Sequence, residues 1–285
     1  SKAHPAHALL VRLGSRGDNE AWSRYLPPRL RVPTPFPPPA RSSAAWESES
    51  TVDTEDQLDT FGTIKVHGRV WTFSRQAHGC RWVQRALDNA ADDEERIALA
   101  EELRGHVVEA AACPHANHVL QKCIVTVPQQ ALQFVVDEIA AASVSEVAKH
   151  KYGCRVVQRL VERCPKEQTR VIADAICADV VALSRHPYST YVVSNLFEHG
   201  SLEDRLAITR AVRGGFVTLC AEPNSAAVVS ASLDALGADE QRTLFELLLE
   251  KPGLICSMAC TKAGAALVIR MLDALLEPQR RDALA

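Results

Sequence analysis

Six times along this chain a small residue opens the same short pattern of side chains, and that repetition constrains the fold more than any other feature. The copies are Gly79-Cys-Arg-Trp-Val-Gln-Arg85, Ala116-Asn-His-Val-Leu-Gln-Lys122 and Gly153-Cys-Arg-Val-Val-Gln-Arg159, followed by three weaker ones. These are Ser189-Thr-Tyr-Val-Val-Ser-Asn195, Ser225-Ala-Ala-Val-Val-Ser-Ala231 and Gly264-Ala-Ala-Leu-Val-Ile-Arg270. Their second positions, residues 80, 117, 154, 190, 226 and 265, lie 37, 37, 36, 36 and 39 residues apart. A period in this range marks a supersecondary unit that buries its apolar face only by stacking on its neighbours.

Within a unit the pattern is helical. In the third, Val156, Val157, Leu160 and Val161 fall at i, i+1, i+4 and i+5 and form one apolar stripe. A second stripe of Val171, Ile172, Ala175 and Ile176 follows a polar break at Pro165-Lys-Glu-Gln168. Pro165 suits the first turn of that next helix, where its missing N–H costs nothing. Each unit is therefore expected to hold a short lead-in helix and two longer ones. Gly214-Gly215 reads as a helix-ending turn, since no phosphate-loop sequence follows it. An all-α stack over residues 61–285 is the expected fold, and the 47% hydrophobic, Ala/Leu/Val-rich composition can supply its core.

Residues 1–60 differ. More than half of the 15 prolines precede residue 40, including the run Pro33-Thr-Pro-Phe-Pro-Pro-Pro39, and a Ser/Glu/Asp-rich stretch follows. Such sequence cannot pair its backbone groups regularly, so disorder with local polyproline II character is expected there. The chain opens on serine, lacks a signal-peptide layout, and ends at Asp282-Ala-Leu-Ala285 inside what should be a helix. A truncated or processed chain is the expectation. No run of about 18 apolar residues is present, so no membrane span is expected. Nine scattered cysteines, odd in number, do not form a disulfide framework and suggest a reducing, cytoplasmic setting.

The chemistry sits one, two and five places after each small residue. In the first three units these trios are Cys80/Arg81/Gln84, Asn117/His118/Gln121 and Cys154/Arg155/Gln158. The first and last of each trio are i and i+4 and share a helix face, with the middle residue beside them. Asn and Gln offer both donor and acceptor for paired hydrogen bonds to a base edge. Arg and His offer flat faces for an unstacked base. Two edge-readers and one stacker per helix suit the reading of single-stranded RNA one base at a time.

With these trios in view, Gly153-Cys-Arg-Val-Val-Gln158 resembles the recognition helix of the Pumilio (PUF) family. The resemblance implies a right-handed α-α superhelix, an armadillo-like solenoid, along which RNA runs antiparallel to the protein. By the family's code, Cys-Arg-Gln implies adenine and Asn with Gln implies uracil, with His a more permissive stacker. The implied core is 5′-A-N-A or 5′-A-U-A. Gln121-Lys-Cys-Ile124 with Pro128-Gln-Gln-Ala-Leu-Gln-Phe134, and Glu198-His-Gly200 with Glu203-Asp204, resemble stretches after the family's fourth and sixth repeats. On that register the chain carries units similar to repeats three to eight of the usual eight.

The last three trios depart from the family. They are Thr190/Tyr191/Ser194, Ala226/Ala227/Ser230 and Ala265/Ala266/Ile269, where the family reads U-G-U with Asn/Tyr/Gln and Ser/Asn/Glu. Alanine and isoleucine neither hydrogen-bond a base nor stack well on one, at about 1–3 kcal/mol per lost interaction. The C-terminal half should keep the scaffold and lose the specificity, so three bases alone should bind weakly. Charge runs the same way: residues 61–165 hold 13 basic and 12 acidic groups plus six histidines, and residues 166–285 hold 12 basic and 15 acidic.

The overall charge of -3 argues mildly against a polyanion ligand, though one face can be basic while the outside is acidic. Cys113, His115, His118 and Cys123 lack the paired spacing of a zinc site, and no cofactor or metal is expected. No nucleophile–base constellation with an oxyanion-forming loop is visible, so no enzyme is expected. The expected function is sequence-selective binding of mRNA 3′ untranslated regions by a monomer that controls translation or decay through recruited repression or deadenylation proteins. The alternative is a protein-binding scaffold of the armadillo or HEAT kind, with degenerate RNA-reading residues.

Overall fold

The chain divides into two units, Ser1–Thr63 and Ile64–Ala285. The structure, a computed structural model, describes residues 65–284, so the proline-rich segment read over residues 1–60 lies outside the described residues.

The repeat seen in the sequence is a repeat of helices. Unit one holds α1 (Val70–Ser74), α2 (Gly79–Asn89) and α3 (Asp93–Glu101), and unit two holds α4 (Val107–Ala112), α5 (Ala116–Thr126) and α6 (Gln133–Ala142). Unit three holds α7 (Val144–Lys149), α8 (Gly153–Arg163) and α9 (Arg170–Ala178). Unit four holds α10 (Val180–Arg185), α11 (Ser189–His199) and α12 (Leu202–Gly214), and unit five α13 (Phe216–Cys220), α14 (Ala226–Asp234) and α15 (Ala238–Leu249). Unit six has α16 (Pro252–Ala259) and α17 (Lys262–Leu284). The three-helix expectation holds for five units. In the sixth, α17 runs 23 residues without the break that separates the second and third helices elsewhere. Among the described residues there is no strand, and no helix is long and apolar enough to cross a membrane.

The middle helices stack in order: α2 on α5, α5 on α8, α8 on α11, α11 on α14 and α14 on α17. Their inner faces repeat the apolar stripe. Val83 and Leu87 are buried in α2, Val119, Leu120, Cys123 and Ile124 in α5, and Val156, Val157, Leu160 and Val161 in α8. Val192, Val193 and Leu196 continue it in α11, and Val228, Val229 and Leu233 in α14. Each large aliphatic chain contributes about 1.5–3 kcal/mol by leaving water. The second stripe needs correction. Ile172 and Ile176 are buried, but Val171 is 47% exposed and points away from the core. Pro165 is not in the first turn of α9 either. It opens the preceding turn, and its carbonyl accepts from the Thr169 backbone N–H (3.1 Å) and hydroxyl (3.2 Å).

The small residue that opens each middle helix has a definite physical cause. It faces the backbone carbonyl six positions earlier, in the short lead-in helix. A Cβ at Gly79, Gly153 or Gly264 would overlap the carbonyl oxygen of Phe73, Val147 or Met258. Where serine stands instead, its hydroxyl donates to that same carbonyl: Ser189 to Leu183 (2.7 Å) and Ser225 to Leu219. Three places upstream, the Cys113, His150 and Thr261 side chains accept the N–H of Ala116 (3.4 Å), Gly153 (3.3 Å) and Gly264 (3.0 Å). These bonds cover donors that a helix start leaves without partners.

The first two lead-in helices are held at their own N-termini by carboxylates. Glu102 accepts from the N–H groups of Gly68 (2.7 Å) and Val70 (2.9 Å), and Glu138 from Gly105 (2.7 Å) and Val107 (3.1 Å). A negative charge at a helix N-terminus is favourable. Gly105 needs its glycine, because its φ is +81°.

Successive units are also tied across their middle helices. At three of the five junctions the side chain six places after one small residue meets the side chain nine places after the previous one. Lys122 pairs with Asp88, Asn195 donates to Glu162 (2.8 Å), and Arg270 pairs with Asp234 (2.7 Å). In unit three the preceding column holds Val125, which cannot accept, and Arg159 turns to Glu162 of its own helix (2.8 Å). Farther out, Arg170 bridges Asp174 and the buried Asp204 (2.7 Å to the latter), joining α9 to α12. Burial alone would raise the Asp204 pKa. Hydrogen bonds from Ser201 and Arg170 outweigh it and hold the carboxyl below its usual value.

Candidate nucleic-acid interface

The trios sit on corresponding turns of α2, α5, α8, α11, α14 and α17. Stacking of these helices in order therefore lines the trios up. The middle residues of the first three trios, Arg81, His118 and Arg155, are all exposed. Although the residue as a whole is exposed, partial desolvation of its ring depresses the His118 pKa first, and Arg155 and His115 add to the effect. At pH 7 the imidazole is therefore neutral, a flat face that carries no charge.

The first members lie deeper. Cys80 and Cys154 are buried, and each thiol donates weakly to the carbonyl three residues back, Ala77 (3.3 Å) and Lys151 (3.4 Å). Burial raises both thiol pKa values, only partly offset by Arg81 and Arg155, so both remain S–H. Asn117 is fully buried. Its Nδ2 donates to the Cys113 carbonyl (2.7 Å) and its Oδ1 accepts from Gln121 Nε2 (2.9 Å). The predicted edge-reader Asn117 is thus hidden, and orients the half-buried Gln121 beside it.

The three glutamines are not equivalent. Gln84 is half-buried and bonds back to the Cys80 carbonyl (3.0 Å). Gln158 is only 6% exposed, and its Nε2 has no hydrogen-bond partner. A buried amide donor left unpaired costs about 1–3 kcal/mol, so this group gains more than the others from an acceptor brought to it.

The last three trios present little to an edge. Thr190 is buried, and its hydroxyl donates to the Asn224 carbonyl of the next unit (2.8 Å). Asn224 Nδ2 in turn donates to the Arg185 carbonyl (3.0 Å). Tyr191 is 56% exposed, a broad aromatic face beside an edge-reader whose hydroxyl is already used. Ser194, Ala226, Ser230 and Ala265 are half-buried, and Ala227, Ala266 and Ile269 are exposed. Cys123 is wholly buried, its thiol pKa pushed up to about 12 by that burial, while His118 faces outward. Among the described residues no group of three or more His, Cys, Asp or Glu could hold a metal, and all nine cysteines are free.

Sequence reading missed the two columns that tie the units, six and nine places after the small residue. The signal was present in the same alignment. Arg85, Lys122, Arg159 and Arg270 share the first column, and Asp88, Glu162, Glu198, Asp234 and Asp273 the second.

The model of the Pumilio-family RNA-binding repeat matches residues 69–104, 106–140, 143–177 and 179–212, unit after unit. The chain belongs to the Pumilio family. The four matches cover units one to four and stop where the reading trios lose their polar residues. A Pumilio domain-containing protein of Schizosaccharomyces pombe is 30% identical over 122 residues, 43% of this chain and 18% of its own length. Fem-3 mRNA-binding factor 2 of Caenorhabditis elegans is 33% identical over 95 residues, 32% of this chain and 15% of its own. The chain thus spans under a fifth of the length of these two curated relatives. The crystal structure of PUF-8 in complex with PBE-RNA superposes with TM-score 0.65 at 27% identity, covering 77% of this chain and 65% of that one. The Puf3 domain bound to a Cox17 RNA 3′ UTR sequence gives TM-score 0.63 at 23% identity over 73% of this chain and 63% of that one, a likeness of fold. The Pumilio solenoid is all-α and superhelical, and this chain shares it.

Proposed function

We propose that this Pumilio-family chain binds single-stranded RNA sequence-selectively through units one to three, acting on messenger RNA 3′ untranslated regions in post-transcriptional control. Cys80, Arg81, Gln84, Asn117, His118, Gln121, Cys154, Arg155 and Gln158 are its reading residues. The observation that carries this reading is Gln158. Its buried, unpartnered amide stands beside the neutral Cys154 thiol and the exposed Arg155, so an edge donor and a stacking face lie on one turn of helix. A cytoplasmic monomer working through recruited repression or deadenylation proteins fits the same reading. The scaffold alternative is not favoured, because Fem-3 mRNA-binding factor is named for RNA and PUF-8 was solved with RNA.

Fluorescence anisotropy with short labelled oligonucleotides tests the proposal. RNA containing 5′-A-U-A should bind at least ~10-fold more tightly than the same RNA with 5′-C-U-C, since two adenine contacts are lost at roughly 1–3 kcal/mol each. Equal affinities would contradict base reading and return the chain to the scaffold reading.

A further inference from the structure

The junction between units three and four differs from the others in a way that bears on Gln158. Glu162 lies one turn beyond Gln158 on the same face of α8. Its side chain is only 15% exposed, and both oxygens are engaged. Oε1 accepts from Asn195 Nδ2 on α11 (2.8 Å), and Oε2 accepts from Arg159 on its own helix (2.8 Å). Asn195 is itself buried, and its Oδ1 has no partner, so the bond to Glu162 is what holds its amide. At the junction of units one and two the same columns carry Asp88 and Lys122, with the Asp88 side chain 54% exposed. There Gln84 is half-buried and turned to its own backbone. The more shielded tie thus coincides with the buried, outwardly unsatisfied glutamine, and the exposed tie with the relaxed one.

We propose that Glu162 is a positioning residue for base selection by unit three. By clamping α11 to α8 through Asn195 while pairing with Arg159, it fixes the wall against which Gln158 is packed and keeps that amide from folding back on its own helix. Glu162 touches no base. It acts through the packing of α8 against α11, its two oxygens letting one side chain accept from an amide and a guanidinium at once. This inference rests on the base-reading function proposed above and adds a residue that the reading trios do not contain.

The test is the ratio of affinities for adenine over cytosine, measured separately at the base facing α8 and at the base facing α2. Glu162→Ala should reduce the ratio at α8 by about fivefold or more and leave the ratio at α2 unchanged. Asn195→Ala, which keeps the Glu162–Arg159 pair and disturbs the fold less, should lower the same ratio in the same direction. The double substitution Glu162→Asp with Asn195→Lys transplants the exposed Asp88–Lys122 pair and should bring the ratio at α8 down toward that at α2. Ratios that fall alike at both positions would mean general loosening of the stack and would overturn the proposal, as would ratios unchanged in both single variants. A wild-type chain with no preference for adenine at either position would overturn base reading itself. A preference that is present in the wild type and survives Glu162→Ala and Asn195→Ala overturns the role of Glu162 alone.

Discussion

Gln158→Ala is expected to weaken binding of RNA with adenine facing α8 by roughly 5- to 150-fold, the range of about 1–3 kcal/mol for one good base-edge contact. RNA with cytosine at that place should bind the variant and the wild type about equally. The size of the effect follows from the state of the side chain before RNA arrives. Gln158 Nε2 is buried and unpaired, so its desolvation cost is already part of the free protein and a base acceptor recovers it. Gln84 must first release the Cys80 carbonyl, so Gln84→Ala should cost less at its own base. Alanine at 158 also removes an unsatisfied polar atom from the interior. The thermal midpoint should therefore not fall by more than the lost packing explains, and binding loss cannot be put down to unfolding. Equal losses for adenine and cytosine RNA would contradict the assignment.

The second large effect concerns the scaffold. Gly153→Val should destabilise the chain by about 1–3 kcal/mol, because a branched side chain must displace the Val147 carbonyl against which α8 begins. At roughly 2–4 °C per kcal/mol for a domain of this size, the loss is readable as a shift in thermal midpoint. Gly153→Ser should be milder, since Ser189 and Ser225 place a hydroxyl on the equivalent carbonyl and bond to it. A valine variant as stable as the wild type, or a serine variant less stable than the valine one, would contradict this account of the small-residue column.

The solenoid was legible in the sequence because its signal is redundant: one period, one apolar stripe and one small residue, each repeated. The reason for the small residue was not legible, because it lies in a backbone carbonyl six positions away and leaves no side-chain trace. Local reading failed where packing decided the outcome. Val171 fits a helical stripe yet faces solvent, and Pro165, whose type suits a first helical turn, lies ahead of the helix that begins at Arg170. In the site, the trios told which residues share a turn and not how deep each sits. Asn117, a reading residue by its place in the trio, sits deep, and its amide must release Cys113 or Gln121 before it meets a base. Thr190 shows the same limit, since its bond to Asn224 crosses a unit boundary that no single-helix reading contains.

Cys154→Asn decides whether each of the first three units reads one base through its own trio. That substitution gives α8 the Asn-with-Gln combination of α5 and leaves Arg155 and Gln158 in place. Binding should be measured against four RNAs that differ only in the base facing α8. Preference there should move from adenine to uracil while the bases facing α2 and α5 keep theirs. An unchanged preference for adenine, or a uniform loss of affinity for all four RNAs, would contradict reading of one base per unit.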